Sequence, residues 1–434
     1  MDTVRLTPPR TLQLDIESPG DKSIGHRSLI LNAAAKGEAT VTRFPRGADT
    51  LASLAIVRAL GVRVTELERA ADGYSSTLRV RSNGVQGLKE PDRILNARNS
   101  GTTMRLMLGL LAGAPLTAVM NGDSSLRGRP MGRVVEPLRA MGAQIWGRND
   151  GALAPLTVHG SALNGFTYEM PVASAQLKSC LLIAGLSASG KTTVIEPAPS
   201  RDHTERMVFA MGARIRSEGN TIEIERSEMT ATDVIVPGDI SSAAPWLVAG
   251  LVHPDARITV RAVGINPTRT GILDVLREMG ANMTISNEQE VGGEPIADIT
   301  VESSDLRPVE VGGAIIPRLI DELPVLTVAA MHANGVSRFR DAAELRVKET
   351  DRIATTSGEL EKMGARVEEM PDGMVIYGGE RLGGTVVRSH GDHRIVMTLA
   401  VAAMAARGET VIQGADAVHV SYPAFFEQLG AGAT

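Results

Sequence analysis

The stretch Lys362-Met363-Gly364-Ala365-Arg366-Val367 decides the fold. An amphipathic run ends at Met363, glycine stops it, and alternation follows. Glycine takes positive φ without strain and so is the natural end of a helix. Ala365-Arg366-Val367 has the period of a strand. The signature recurs at Ala59-Leu60-Gly61-Val62, Ala140-Met141-Gly142-Ala143, Ala210-Met211-Gly212-Ala213, Glu278-Met279-Gly280-Ala281 and Gln428-Leu429-Gly430-Ala431. Strand-like alternation follows all but the last, and the six glycines stand 66 to 84 residues apart. One almost wholly apolar segment precedes each glycine: Ser28 to Ala35, Thr103 to Ala112, Ala175 to Leu186, Ala243 to Leu251, Leu323 to Ala333 and Ile395 to Ala406. A helix that is apolar all round is a buried one. Each unit of about 70 residues therefore has one hidden helix, one half-exposed helix and strands between, and six units predict two domains of three.

The totals narrow the function. At 434 residues the chain exceeds one ordinary core, and 43% hydrophobic content is globular. Aromatics are only 3%, which argues against base-stacking platforms, and a net charge of −5 argues against a general nucleic-acid or membrane-surface binder. The single cysteine, Cys180, permits no internal disulfide and fits a reducing compartment. Met1 to Gln13 carries no apolar run with a cleavage site, and Ile395 to Ala406 is too short to span a bilayer. The expectation is a soluble, cytoplasmic protein.

The polar residues gather where the hidden helices begin: Asp21-Lys22-Ser23, Asn99-Ser100-Gly101-Thr102, Ser174-Ala175-Gln176, Asp239-Ile240-Ser241-Ser242, Asp321-Glu322 and Asp392-His393-Arg394. Ser, Thr, Asp and Asn are ordinary N-caps. Lys22, Gln176, His393 and Arg394 are not explained by capping, since a cation there opposes the helix dipole. They make sense if an anion sits between them and the exposed N–H groups. Arg27, Arg105, Arg129, Arg201, Lys348, Arg352 and Arg394 lie near these starts or in Gly/Pro/Ser loops, which points to two phosphate-sized anions. Leu345 to Arg352 adds acid–base potential: five of its eight residues are charged. Read as a helix, it puts Lys348 and Arg352 on one face with Glu349 one step round, two cations and a carboxylate able to move a proton.

Several features have plainer readings. Gly185 to Thr192 matches the phosphate-loop pattern letter for letter, but a helix precedes it and a strand follows, the reverse of the required order. His390, Asp392 and His393 invite a metal reading, but two histidines three apart with no third clear ligand are weak evidence for one. Cys180, in an apolar helix, reads as packing, and Trp146 and Trp246 as core.

Pro19-Gly20-Asp21-Lys22-Ser23, Asn99-Ser100-Gly101-Thr102-Thr103-Met104-Arg105, Arg129-Pro130-Met131, Leu345 to Arg352 and Gly391-Asp392-His393-Arg394 together resemble the 5-enolpyruvylshikimate-3-phosphate synthase family, from about residue 12 to 429. The resemblance implies an α/β enolpyruvyl transferase fold, a two-domain inside-out α/β barrel of six βαβαββ repeats, three per domain. Residues 20–240 would bind mainly shikimate 3-phosphate. Residues 1–19 and 241–434 would contribute phosphoenolpyruvate and acid–base residues, with the active site in the cleft between domains that close on the ligands. The implied reaction joins shikimate 3-phosphate to phosphoenolpyruvate and releases phosphate, with no metal or organic cofactor, in a monomer. Carried over by position, Lys22, Ser23, Arg27, Ser174, Gln176, Arg201, Asp321 and Lys348 resemble the shikimate 3-phosphate ligands. Lys22, Asn99, Gly101, Thr102, Arg129, Gln176, Arg352 and Arg394 resemble the phosphoenolpyruvate ligands. Asp321, Glu349, Lys22 and His393 resemble the catalytic groups.

Departures also count. Ala175 stands where many members have serine, Glu344 where some have asparagine, Leu106 where proline is frequent and Val420 where many have lysine. With Arg201-Asp202-His203-Thr204 these look like the family's second, often glyphosate-tolerant class, while Gly101 is the small residue of sites that admit glyphosate. Two other readings remain: the sister transferase acting on a UDP-amino sugar, which usually has a cysteine in a loop where Asp123 to Arg129 has none, and a non-catalytic phospho-ligand sensor, which would tolerate damage at Asp321, Glu349 or His393.

Overall fold

The computed structural model describes residues 2–70, 73–291 and 293–432. It is a mixed α/β protein whose contacts divide into two units. One comprises Gly20–Pro237 with Glu290–Glu294, the other residues 1–19, Gly238–Gln289 and Pro295 to the C-terminus. Residues 1, 433 and 434 of the latter lie outside the described residues. Gly238 to Ile240 fall with the second unit rather than the first, because Asp239 caps the helix Ile240–Val252 by accepting from the Ser241 N–H at 2.9 Å.

The apolar segments form helices Lys22–Ala34, Gly101–Ala112 and Ala175–Gly185 in the first unit, and Ile240–Val252, Leu323–His332 and His393–Ala405 in the second. Every residue of Ile240–Val252 is buried. Burying a Leu, Val or Ile side chain contributes roughly 1.5–3 kcal/mol, so these helices carry much of each core. Five have a side-chain N-cap, from Asp21, Ser100, Ser174, Asp239 and Asp392. Leu323–His332 instead starts with Pro near its first turn, and Glu322 makes no capping bond.

Each unit has three small sheets among its described residues, five of the six four-stranded and one three-stranded. Each sheet has one parallel pair, such as Val234–Ile235 beside Lys36–Pro45, and antiparallel neighbours, such as Ser75–Asn83. Glycines 61, 142, 212, 280 and 364 have φ between 83° and 103°, left-handed backbone that reverses the chain from helix to strand. Gly430 differs: helix Phe425–Gly432 runs through it. Close packing also uses glycine, for a Cβ on Gly109 would lie 2.3 Å from the Cys180 carbonyl oxygen on the Ala175 helix.

Candidate active site

In the Gly20–Pro237 unit most of the predicted ligands sit at helix starts, with Arg129 and Arg201 in connecting segments. Lys22 opens its helix behind the Asp21 cap, and its Nζ lies 2.8 Å from Asp49 Oδ2. Arg27, one turn on, is buried. Its Nε donates to Thr204 Oγ1 (2.7 Å), Nη1 to the Ser23 carbonyl (2.9 Å) and Nη2 to Ser179 Oγ (2.7 Å). Burial pushes the Arg27 guanidinium down to about 10, with Glu205 and Asp21 acting against the shift and Arg201 adding to it. Arg27 thus fixes the Ser23 backbone from below.

The starts of the next two hidden helices are joined side chain to side chain. Arg105 Nη1 donates to Gln176 Oε1 at 2.5 Å, and Gln176 Nε2 donates to Thr102 Oγ1 at 3.0 Å. Because an arginine can only donate, Gln176 Oε1 must face Arg105, and the amide orientation follows. Arg129 Nη2 donates to Asn99 Oδ1 (2.7 Å), and Asn99 Nδ2 to Asp123 Oδ2 (2.8 Å). Gly101 lies among these guanidinium groups: a Cβ there would meet Arg105 Nη1 at 2.8 Å and Arg129 Nη1 at 3.7 Å. Ser174 caps its own helix, accepting from the Leu177 N–H at 3.5 Å. Arg201 is partly buried in the segment between strand Lys191–Ile195 and helix His203–Ala210.

In the second unit the structure corrects the reading of Leu345 to Arg352. Ala343–Val347 is a 3-10 turn, Lys348 is extended, and the α-helix starts only at Arg352, where the Asp351 carboxylate accepts from the Ala354 N–H at 3.1 Å. Lys348 and Arg352 therefore share no helix face. They meet at Asp321 instead, with Lys348 Nζ 3.7 Å and Arg352 Nη1 3.3 Å from Oδ1. Arg352 is the hub. Its Nη2 bonds Glu349 Oε2 at 2.6 Å and its Nε bonds the fully buried Asp392 at 2.8 Å. Burial works against its charge, but Glu349, Asp392 and Asp321 more than offset this and hold the guanidinium above its ordinary value. Asp392 also caps the following helix, accepting from the Arg394 N–H at 2.8 Å, and its Oδ1 is 3.9 Å from His393 Nδ1. Arg394 Nη1 donates to the Ser241 carbonyl at 2.6 Å. Glu349 keeps about a third of its side chain exposed, so one carboxylate is paired yet reachable beside another, Asp321, that two cations hold. That arrangement can accept and return protons next to bound anions.

Some members of these clusters were missed in the sequence. Asp49, the partner of Lys22, looks like an ordinary first-turn acid. Arg269 donates to Asp239 (3.0 Å) and Ser241 Oγ (2.9 Å), and Ser241 Oγ donates to the buried Glu322. Burial, then the neighbouring Asp321 charge, pushes the Glu322 carboxyl up. Lys178, buried between Glu196 and Glu205, could have been noticed as a lysine in an apolar run.

Other features resolve plainly. Gly185 ends a helix and strand Lys191–Ile195 follows. Cys180 is buried, which pushes its thiol up to about 12. Trp246 packs on Tyr422 and Phe425, but Trp146 is 54% exposed: its strand Gln144–Arg148 is a sheet edge, so that residue is not core. His390 bonds Glu359 at 2.7 Å. Glu344 pairs with Lys348 at 3.2 Å, and Val420 is partly exposed at the end of a 3-10 turn.

The family profile described as EPSP synthase (3-phosphoshikimate 1-carboxyvinyltransferase) matches residues 6–429. A 3-phosphoshikimate 1-carboxyvinyltransferase of Synechococcus sp. (strain RCC307) is 52% identical, with 99% of each chain covered. One of Desulforudis audaxviator is 51% identical, with 98% of each covered. The solved EPSP synthase of Acinetobacter baumannii superposes with a TM-score of 0.91 at 40% identity, over 100% of this chain and 98% of that one.

Proposed function

The chain belongs to the EPSP synthase (3-phosphoshikimate 1-carboxyvinyltransferase) family, and from that premise we propose how its residues share the reaction. It transfers the enolpyruvyl group of phosphoenolpyruvate to the 5-hydroxyl of shikimate 3-phosphate and releases phosphate, within aromatic biosynthesis. The UDP-amino-sugar acceptor and the non-catalytic sensor are not favoured.

Asp321 takes the proton of the 5-hydroxyl as its oxygen bonds to C2 of phosphoenolpyruvate. Glu349, with Lys22, delivers a proton to C3, which becomes a methyl group. The tetrahedral intermediate then loses that proton back to Glu349 while the C2–O bond to phosphate breaks. Lys22, Arg129, Arg352, His393 and Arg394 hold the developing charge, a preorganised field that needs no rearrangement during the reaction. Lys22, Ser23, Arg27, Ser174, Gln176, Arg201, Asp321 and Lys348 hold shikimate 3-phosphate, Arg27 through the Ser23 backbone it fixes. Lys22, Asn99, Gly101, Thr102, Arg129, Gln176, Arg352 and Arg394 hold phosphoenolpyruvate. Residues of both units serve one turnover, each unit built as three βαβαββ repeats of the inside-out type. The enzyme works as a cytoplasmic monomer on small molecules. A single buried cysteine and a net charge of −5 are in keeping with that, and no helix among the described residues is long and apolar enough to cross a membrane.

The observation that supports this assignment best is the meeting of Lys348 and Arg352 on Asp321, with Glu349 on the far side of the same guanidinium. The test is phosphate release from phosphoenolpyruvate in metal-free buffer, with and without shikimate 3-phosphate. Release that requires shikimate 3-phosphate is expected. Release without it, or none with both substrates present, overturns the assignment.

A further inference from the structure

We infer that Lys178 is a positioning residue for shikimate 3-phosphate, holding the segment that carries Arg201 in register with the helix that carries Ser174 and Gln176. This rests on the assignment of Arg201 and Ser174 to that substrate; Gln176, which both substrates share, is held separately, by Arg105 and Thr102.

Lys178 lies in the first turns of the Ala175 helix and is buried. Its Nζ is 2.7 Å from Glu196 Oε2 and 2.7 Å from Glu205 Oε1, and it donates to the Ser200 carbonyl at 3.3 Å. Ser200 Oγ donates to the other Glu196 oxygen. One ammonium thus ties down both ends of the stretch from 196 to 205 and the peptide group that joins Ser200 to Arg201. The neighbouring residue extends the seam: Ser179 Oγ is 2.7 Å from Thr204 Oγ1, and both receive bonds from Arg27, which holds the Ser23 carbonyl. Three stretches proposed to bind one substrate are therefore fastened to each other by buried polar bonds.

Stability does not explain this cluster. Taking one ammonium and two carboxylates out of water is costly, and apolar residues of similar volume generally serve a core as well or better. What such a cluster supplies is geometry, since an ion pair tolerates little displacement where a leucine contact tolerates more. Burial raises the Glu205 carboxyl, and the Lys178 charge works against that shift. Without Lys178, Glu196 and Glu205 would be left buried together and the stretch from 196 to 205 would lose the tie that joins its two ends.

The experiment compares steady-state constants of K178M, K178M/E205Q and R201L with the unmodified enzyme. K178M is expected to raise KM for shikimate 3-phosphate at least ten-fold, with KM for phosphoenolpyruvate within two-fold and kcat within three-fold. K178M/E205Q, which removes one charge of each sign, should recover at least three-fold of that loss. If K178M does not fold, E205Q alone decides: a three-fold or greater rise confined to the shikimate 3-phosphate KM supports the role. Unchanged constants, equal rises in both KM values, or a lower melting temperature alone overturn it. R201L separates the two layers. If it raises KM for shikimate 3-phosphate and K178M does not, the positioning role fails by itself. If neither does, the substrate assignment fails and takes the inference with it.

Discussion

Arg352 shows what one buried residue can hold: a guanidinium binds Glu349, Asp321 and Asp392 at once. Glu349 keeps access to solvent while the arginine fixes its direction, so Glu349→Gln should preserve binding of shikimate 3-phosphate and slow turnover by two or more orders of magnitude. Titration calorimetry and phosphate release read the two effects separately, and normal turnover would sink the acid–base role. Glu322 is the complementary case. Burial, with the Asp321 charge beside it, holds its carboxyl above the usual carboxylate range. The folded state then holds that proton more tightly than the unfolded one, so its contribution to stability is present below the unfolded value and is lost as pH rises through the folded value. Glu322→Gln is neutral at every pH and keeps an acceptor for Ser241. Its melting temperature relative to the unmodified protein should therefore climb as pH rises above the ordinary carboxylate range, and a flat difference would refute the raised carboxyl. At this scale the residue types near helix starts were legible, because cations beside N-termini need an anion to make sense. Their partners were not: Lys22 meets Asp49, an acid unremarkable in its own stretch, and no spacing in the sequence joins Arg352 to Asp392.

Elements were legible where burial is uniform. A segment apolar on all sides can only be an inner helix, and helices Gly101–Ala112 and Leu323–His332 start within two residues of the segments read from sequence. Legibility failed where a local hydrogen bond competes with helical period. Charged spacing suggested that Leu345 to Arg352 was helical, but the Asp351 side chain caps the N–H of Ala354 and starts the helix at Arg352. Strand partners were also hidden, since Val234 pairs with Val41 across most of a unit and no periodicity encodes that choice. The helix pair Gly101–Ala112 and Ala175–Gly185 offers a sharp test. Gly109→Ala would drive a methyl group to 2.3 Å from a backbone oxygen, which side-chain rotation cannot relieve. We expect a loss of about 1–3 kcal/mol in denaturant unfolding, typical of overpacking, together with a raised KM as the starts of both helices shift. An unchanged midpoint would mean that the two backbones separate at little cost.

At the scale of the molecule two electrostatic effects oppose each other. The chain carries a net charge of −5, and both substrates are phosphates that this charge repels. Lys22, Arg105 and Arg394 lie in the first turns of inner helices, and Arg129, Lys348 and Arg352 reach the starts of inner helices through Asn99, Asp321 and Asp392, so local attraction should win at short range. Salt separates the two. At 0.01 M the screening length is about 30 Å, so approaching anions sense much of the protein, while at 0.1 M it is about 10 Å and only nearby groups act. If the local cations dominate capture, kcat/KM for shikimate 3-phosphate should fall steadily as salt rises over that range, as expected for steered association. If the net charge dominates, it should rise. The sign of that slope, measured with a salt that does not itself bind as a phosphate mimic, decides whether clustered arginines and lysines overcome the acidic remainder of the chain.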